Sequence, residues 1–256
     1  MRALILSDIH ANLEALGAVL EATSGQFDAM WNLGDTVGYG GSPNQVIELV
    51  RPMAAVNVRG NHDRVCAGLS SAANFNPVAR MAATWTREEL SAENLLWLQG
   101  VPRGPVSPAG AGDGVGPVTC AHGSPLDEDQ YILSLRDAWA PLQRMETGIT
   151  FFGHTHIQGG FTQTGARWQE VRPRFRSRNE AETRTLSLVA GMRHLINPGS
   201  VGQPRDADWR AAFLIYDSDA GEIEFHRVPY DLTSSQGRIL LAGLPERLAA
   251  RLREGR

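Results

Sequence analysis

The sequence predicts a layered α/β fold that carries its functional groups at strand ends, and three observations support this. Short apolar runs alternate with stretches of helical periodicity in the amino-terminal part of the chain. After His156 the pattern changes to short strands separated by turns. Five of the seven histidines lie in short polar motifs, each at the end of an apolar run.

Taken in order, Ala3-Leu4-Ile5-Leu6 is a continuous apolar run, the signature of a strand buried on both faces. From Asn12 to Ala22, apolar residues recur at Leu13, Leu16, Val19 and Leu20, which is helical spacing. A second strand, Ala29 to Leu33, runs into Gly34-Asp35. Ser42-Pro43 supplies an N-cap and a first-turn proline for the next helix, and Ala54 to Val58 forms a third strand ending at Arg59-Gly60-Asn61. This alternation implies parallel pairing. Ser91 caps another helix, closed by Gly100 and Pro102, and the glycine-rich stretch 108–117 reads as a flexible hairpin tip. Val118 to Ala121 and Ile149 to Phe152 are strands delivering His122 and His154. Five further strands, at 159–164, 167–171, 186–189, 211–216 and 222–228, suggest a second, largely antiparallel sheet. The tail from Leu232 alternates leucine and arginine at helical spacing. With no internal repeat and no linker, one domain over residues 1–256 is expected: metal-site motifs at 8–156, second sheet and carboxy-terminal helices at 157–256.

Composition narrows the function. At 256 residues and 42% hydrophobic content the chain is long enough to bury a sizeable core. A net charge of -4 argues against general nucleic-acid binding. Two cysteines, Cys66 and Cys120, build no disulfide framework and fit a reducing compartment. No run approaches the roughly 18 apolar residues of a membrane span. A cytoplasmic protein is expected, with no membrane contact, and self-association as a homo-oligomer left open.

The polar motifs are Asp8-Ile9-His10, Gly34-Asp35, Gly60-Asn61-His62-Asp63, Ala121-His122-Gly123 and Gly153-His154-Thr155-His156. Aspartate, asparagine and neutral imidazole form the oxygen and nitrogen ligand set that holds Mn, Fe, Co, Ni or Zn at hydrolytic centres. The ligands are too many for one ion with an open position and about right for two. If the chain stays extended at 8–10 and 154–156, residues two apart leave on the same side and each motif becomes a two-pronged clamp. Two aspartates against two divalent ions leave a net positive site, which suits a phosphate ester. Two ions about 3.5–4 Å apart can share a bridging water, lower its pKa and clamp the phosphoryl oxygens. Taken singly, Asp8 or Asp35 could equally be a cap or a turn residue, and a lone His122 a core histidine; the five motifs together are specific.

In this order the motifs resemble those of the calcineurin-like metallophosphoesterase superfamily. The segment Asn197-Pro198-Gly199-Ser200-Val201-Gly202-Gln203-Pro204-Arg205 is similar to one in its compact single-domain prokaryotic members, a phosphodiesterase branch, and the likeness spans residues 1 to about 230. The resemblance implies a four-layer α-β-β-α sandwich, two facing mixed sheets flanked by helices. It implies one metal held by Asp8, His10, Asp35 and His156, and a second held by Asp35, Asn61, His122 and His154, with Asp35 bridging. It makes His62 the general acid or transition-state stabiliser, with Asp63 orienting its ring and raising its pKa. The expected activity is hydrolysis of a small phosphodiester, or a phosphomonoester, by a metal-bridging hydroxide. A non-catalytic metal-binding scaffold and a nuclease are the alternatives. Asn12, Arg59, the segment 126–131 and residues 199–205 are candidates for contact with substrate. Gly38-Tyr39-Gly40-Gly41 reads as a plain loop and cap, Cys120 as a small core residue, and the arginines at 172, 174, 176, 178 and 184 as a solvated loop.

Overall fold

The computed structural model describes residues 1–111, 116–145 and 148–256. The chain alternates β1 (Arg2–Leu6), α1 (Leu13–Ala22), β2 (Ala29–Asn32), α2 (Pro43–Met53) and β3 (Ala54–Asn57). Helices α3 (Asn61–Cys66), α4 (Pro77–Glu89) and α5 (Ala92–Gly100) follow, then β4 (Val118–Cys120), α6 (Leu135–Arg144) and β5 (Ile149–Phe151). Six strands come next: β6 (Gln158–Thr164), β7 (Arg167–Val171), β8 (Glu182–Ser187), β9 (Arg193–Pro198), β10 (Ala211–Asp217) and β11 (Glu222–Val228). The last elements are α7 (Leu232–Leu241) and α8 (Glu246–Glu254).

These strands form two mixed sheets, in the orders β3-β2-β1-β10-β11-β8 and β4-β5-β9-β6-β7. In β1, Ala3 and Ile5 point into the core between the sheets, where they join Trp31, Phe151, Ile196 and Leu214. Leu4 and Leu6 point the other way and pack on Leu16 and Val19 of α1 and Val46 and Val50 of α2. A strand buried on both faces must be apolar throughout, and hence the unbroken run. On the outer face of the second sheet, Phe161 and Leu195 pack against Ala138 and Leu142 of α6. The result is the expected four-layer α-β-β-α sandwich.

The allocation of strands differs from the expectation. The second sheet is not built from residues 157–256 alone: β4 and β5 pair in parallel with β9, while β8, β10 and β11 extend the first sheet. β10 lies antiparallel beside β1, with Leu4 opposite Ile215. Apolar alternation reports how a strand is buried, not which neighbour it bonds. Strand β9 was not foreseen, because Arg193, His194 and Asn197 break its apolar pattern, although it runs centrally in its sheet.

Local signals at the helix ends hold in part. Asn12, Asn76 and Ser91 each cap a helix by accepting a backbone N–H. Pro43 opens α2, but the Ser42 side chain makes no capping bond. The tail forms two helices, packed on each other and around Tyr39. The expected hairpin tip lies partly outside the described residues, at 112–115. Cys120 is fully buried in the core between the sheets, with its thiol pKa pushed up by burial. No helix among the described residues is long and apolar enough to cross a membrane.

Candidate metal centre

The site forms where the loops after β1, β2, β3, β4 and β5 meet. The first two are laced together by backbone: Asp8 N–H donates to Gly34 O, His10 N–H to Asp35 O and Ala11 N–H to Thr36 O, at 2.9–3.0 Å. His62 N–H donates to Asp35 Oδ1 at 2.8 Å, and His154 N–H to Asp8 Oδ2 at 3.0 Å. Thus each aspartate spends one oxygen holding a neighbouring loop and keeps the other for the interior.

The ligand residues are not extended, as the clamp argument supposed. Asp8, His10, Asp35, His154 and His156 all have φ between 49° and 67°. Left-handed backbone at a non-glycine residue costs on the order of 1–3 kcal/mol and persists only where the surroundings enforce it. Here the enforcing bonds are those between the loops, together with Ser7 Oγ–H donating to Asp8 Oδ2 and Ser200 Oγ–H to Asp8 O, both at 2.7 Å.

Space is equally tight. A Cβ on Gly153 would sit 1.8 Å from Ser7 Oγ, and one on Gly60 would sit 2.1 Å from Asp35 Oδ1. Gly153→Ala is therefore expected to displace Ser7 and the Asp8 carboxylate. We expect a loss of about 1–3 kcal/mol in urea unfolding, as for other overpacked cores, together with weaker metal retention. Unchanged stability would mean that Ser7 can rotate away freely.

Two ligand groups result. One interior atom from each of Asp8, His10, Asp35 and His156 lies within 4.8 Å of the others, and Asp35, His122 and His154 form a second such set. Asn61 Oδ1 joins the second set, 3.2 Å from His122 Nε2. All seven foreseen ligands are brought together, and Asp35 belongs to both sets.

The tautomers follow from the outer contacts. His10 Nδ1–H donates to Val37 O, His122 Nδ1–H to Leu33 O and His156 Nδ1–H to Gln203 O. A carbonyl only accepts, so Nδ1 carries a proton in all three rings, and a ring that is neutral presents a bare Nε2 to the interior. Burial holds His10 and His156 below the usual imidazole pKa, hence neutral, and their Nε2 atoms face each other at 3.1 Å. Asp8 Oδ1 is buried, lies 3.2 Å from His156 Nε2 and has no hydrogen-bond partner. Burial opposes ionisation of Asp8 and Asp35, yet the imidazoles around them keep both carboxyls below their normal range. Burial disfavours charge on His122 too, but Asp35 outweighs it and pushes His122 up to about 10. Bare lone pairs and anionic oxygens converging this closely repel unless a cation lies among them. The donor set fits divalent metal ions.

Three sequence expectations change here. Asp63 does not orient His62: Asp63 Oδ1 accepts Val37 N–H and Oδ2 accepts Gly60 N–H, both at 3.1 Å. His62 Nδ1 is buried without a partner, and its ring is held by Tyr39 and Phe75, with centroids at 4.3 and 4.5 Å. Burial lowers His62 to about 4 and raises Asp63 to about 7, so His62 is a neutral imidazole and not the expected imidazolium. Asn12 is occupied as a strut: its Oδ1 accepts Ala15 N–H and Ser235 Oγ–H, while Nδ2–H donates to Gly202 O. Arg59 donates its backbone N–H to Pro102 O, and no described contact joins its side chain to the cluster.

Tyr39 and Arg251 escaped the sequence reading, whereas Tyr131 and Arg205 fall within the candidate segments 126–131 and 199–205. Tyr39 packs on His10 and His62, so the glycine-flanked loop is part of the lining and not a plain cap. Tyr131 stacks on His154 at 3.9 Å, and Arg205 and Arg251 both reach Tyr39. For Tyr39 the flanking glycines were the only hint in the sequence. The arginines of 172–184 lie elsewhere: Arg172 pairs with Glu170 and Arg184 with Glu182, while Arg176 and Arg178 border a separate cavity of about 490 Å³.

Residues 1–221 match the family model of the calcineurin-like phosphoesterase superfamily domain. The chain belongs to this superfamily. It is 32% identical to the uncharacterized protein MJ0912 of Methanocaldococcus jannaschii over 260 aligned positions, 98% of this chain and 97% of that one. It is also similar to a metallophosphoesterase of Sphaerobacter thermophilus of known crystal structure. That match has 41% identity and a TM-score of 0.81, covering 100% of this chain and 99% of the other. The hypothetical protein PH1004 from Pyrococcus horikoshii OT3 shares the fold, with a TM-score of 0.76 at 20% identity and coverage of 100% and 98%. For a calcineurin-like phosphoesterase, the motifs from Asp8 to His156 and the brace formed by Ser200 and Gln203 are the parts that gather the ligands.

Proposed function

We propose that this chain is a dinuclear metallophosphoesterase that hydrolyses a small phosphodiester or phosphomonoester in the cytoplasm. The observation that carries the reading is the pair of ligand sets sharing Asp35, with Asp8 Oδ1 left unpartnered inside one of them. In this reading one ion is held by Asp8, His10, Asp35 and His156 and the other by Asp35, Asn61, His122 and His154. Bound there, two divalent ions would supply an activated water and neutralise the charge of the phosphoryl group. The chain does the rest. Val37, Leu33 and Gln203 carbonyls fix three imidazoles in the tautomer that offers Nε2. Tyr39 and Phe75 hold His62 beside His10, where its ring N–H can donate to an oxygen of the substrate. Asp63 positions the loop that carries Asn61 and His62 by binding Gly60 N–H and Val37 N–H. Because strands from both ends of the chain join in the first sheet, with β10 beside β1, residues 1–256 are read as one domain.

Elemental analysis after reconstitution with manganese should approach two equivalents per chain. A stable value of one or below would exclude the dinuclear reading. Screening the manganese-loaded protein against phosphomonoesters and phosphodiesters then tests the chemistry, and chelation should abolish turnover. Two bound ions with no hydrolysis of any ester in the panel would favour a binding scaffold.

A further inference from the structure

One guanidinium spans the two aromatic residues that flank the ligand cluster. Tyr39 packs on His10 and His62, with ring centroids at 4.7 and 4.3 Å, and Tyr131 stacks on His154 at 3.9 Å. Arg205 reaches both. Its guanidinium carbon lies 5.9 Å from the Tyr39 centroid, and its side chain donates to the Tyr131 hydroxyl. The main chain here is fixed to the same cluster: Arg205 N–H donates to His156 O at 3.1 Å, and His156 Nδ1–H donates to Gln203 O. Burial lowers the pKa of His62 and of His156, and the nearby charge of Arg205 lowers both further.

Arg205 has no anion of its own. No ion pair among the described residues includes it, and its side-chain acceptors are neutral: Gln203 Oε1 at 3.3 Å and the Tyr131 hydroxyl. Its Nε is buried with no acceptor. The buried arginines elsewhere in this protein are paired, Arg210 with Asp208 and Arg227 with Asp206. A half-buried guanidinium without counter-charge, carrying an unmet N–H, is costly to keep. Its forked donors match the oxygens of a phosphoryl group.

We propose that Arg205 receives the third terminal oxygen of the scissile phosphoryl group, so that this enzyme prefers phosphomonoesters to phosphodiesters. The inference rests on the dinuclear phosphoesterase reading. In that reading two phosphoryl oxygens face the two ions, and the ring N–H of His62 serves the departing oxygen. A phosphodiester has no terminal oxygen beyond those two, because its remaining position is a second ester. A phosphomonoester dianion has one more, and it is negatively charged. Arg205 is the cation at the rim of the cluster whose charge no carboxylate balances.

The test compares methylphosphonate with dimethylphosphinate, non-hydrolysable anions in which one terminal oxygen of the first is a methyl group in the second. Binding to the manganese-loaded protein is measured by titration calorimetry, at fixed free manganese and a pH where methylphosphonate is a dianion. The wild type should bind methylphosphonate more tightly. Arg205→Gln should weaken that binding by about 10–100-fold, the usual worth of a charge-assisted hydrogen bond, and leave dimethylphosphinate nearly unchanged. Arg205→Lys, which keeps the charge without the fork, should fall between the two and carries the test if the glutamine variant does not fold. In Arg205→Gln the kcat/KM ratio of nitrophenyl phosphate to bis(nitrophenyl) phosphate should drop by a similar factor. A wild type that favours the phosphinate or the diester overturns the proposal, as does a glutamine variant that weakens both anions alike or neither. Loss of manganese from Arg205→Gln also overturns it, since the arginine would then act only by holding His156. Failure of the wild type to hydrolyse either nitrophenyl ester overturns the phosphoesterase reading itself, whichever anion binds more tightly.

Discussion

Asp35→Asn is expected to be the most damaging single ligand substitution, weakening both metal sites together and leaving activity that excess manganese hardly restores. Asp35 is the only carboxylate in both ligand groups. Its Oδ1 accepts the His62 N–H, a bond that asparagine keeps through its own Oδ1, so the substitution removes charge and leaves the loop in place. Its Oδ2, 3.4 Å from His122 Nε2 and 3.7 Å from His10 Nε2, would become an NH₂ group, which has no lone pair to offer a cation. Removing one charge from a buried ionic set costs about 3–5 kcal/mol, or about 10²–10⁴ in affinity at each site. Asp8→Asn is the control. Its Oδ2 takes Ser7 Oγ–H and His154 N–H, which asparagine can still accept, and it belongs to one group only. Manganese titration with hydrolysis as the readout should rescue Asp8→Asn in part. Equal rescue of the two variants would show that Asp35 does not bridge.

His62→Ala should leave the metal content near that of the wild type while lowering kcat by about 10²–10⁴, the usual worth of a positioned proton donor. His62 belongs to neither ligand group, and its ring packs against Tyr39, Phe75 and the edge of His10. Held neutral by burial, it would act by donating a ring N–H to an oxygen that gains charge as the ester bond breaks. Such a bond matters most when the departing oxygen is strongly basic. The loss should therefore shrink for a nitrophenolate leaving group and be largest for an alkyl ester. If His62→Ala instead strips a metal, the division of roles between His62 and Asn61 is wrong.

The seven residues that cluster at the candidate site were legible because the chemistry of each motif is local. A polar Asp-x-His or His-x-His directly after an apolar run has few structural uses, and five such motifs in one order leave fewer still. The layered fold was legible for a similar reason, since Ala3 to Leu6 can be apolar throughout only if both faces of β1 are covered. What the sequence by itself determined was therefore the class of fold, the family and which residues gather at the candidate site. The tertiary structure alone decided which strands are neighbours, because pairing such as Leu4 with Ile215 depends on contacts between distant segments. It also decided that Asp63 serves Gly60 and Val37 and leaves His62 unbonded, a choice made by backbone N–H groups that no side-chain pattern displays. The left-handed backbone at Asp8, His10, Asp35, His154 and His156 belongs to the same class, since bonds between loops impose it against the preference of each residue. The meeting of Tyr39, Arg205 and Arg251 is also tertiary: three segments without a shared motif converge only after α8 packs beside the loop that carries Tyr39.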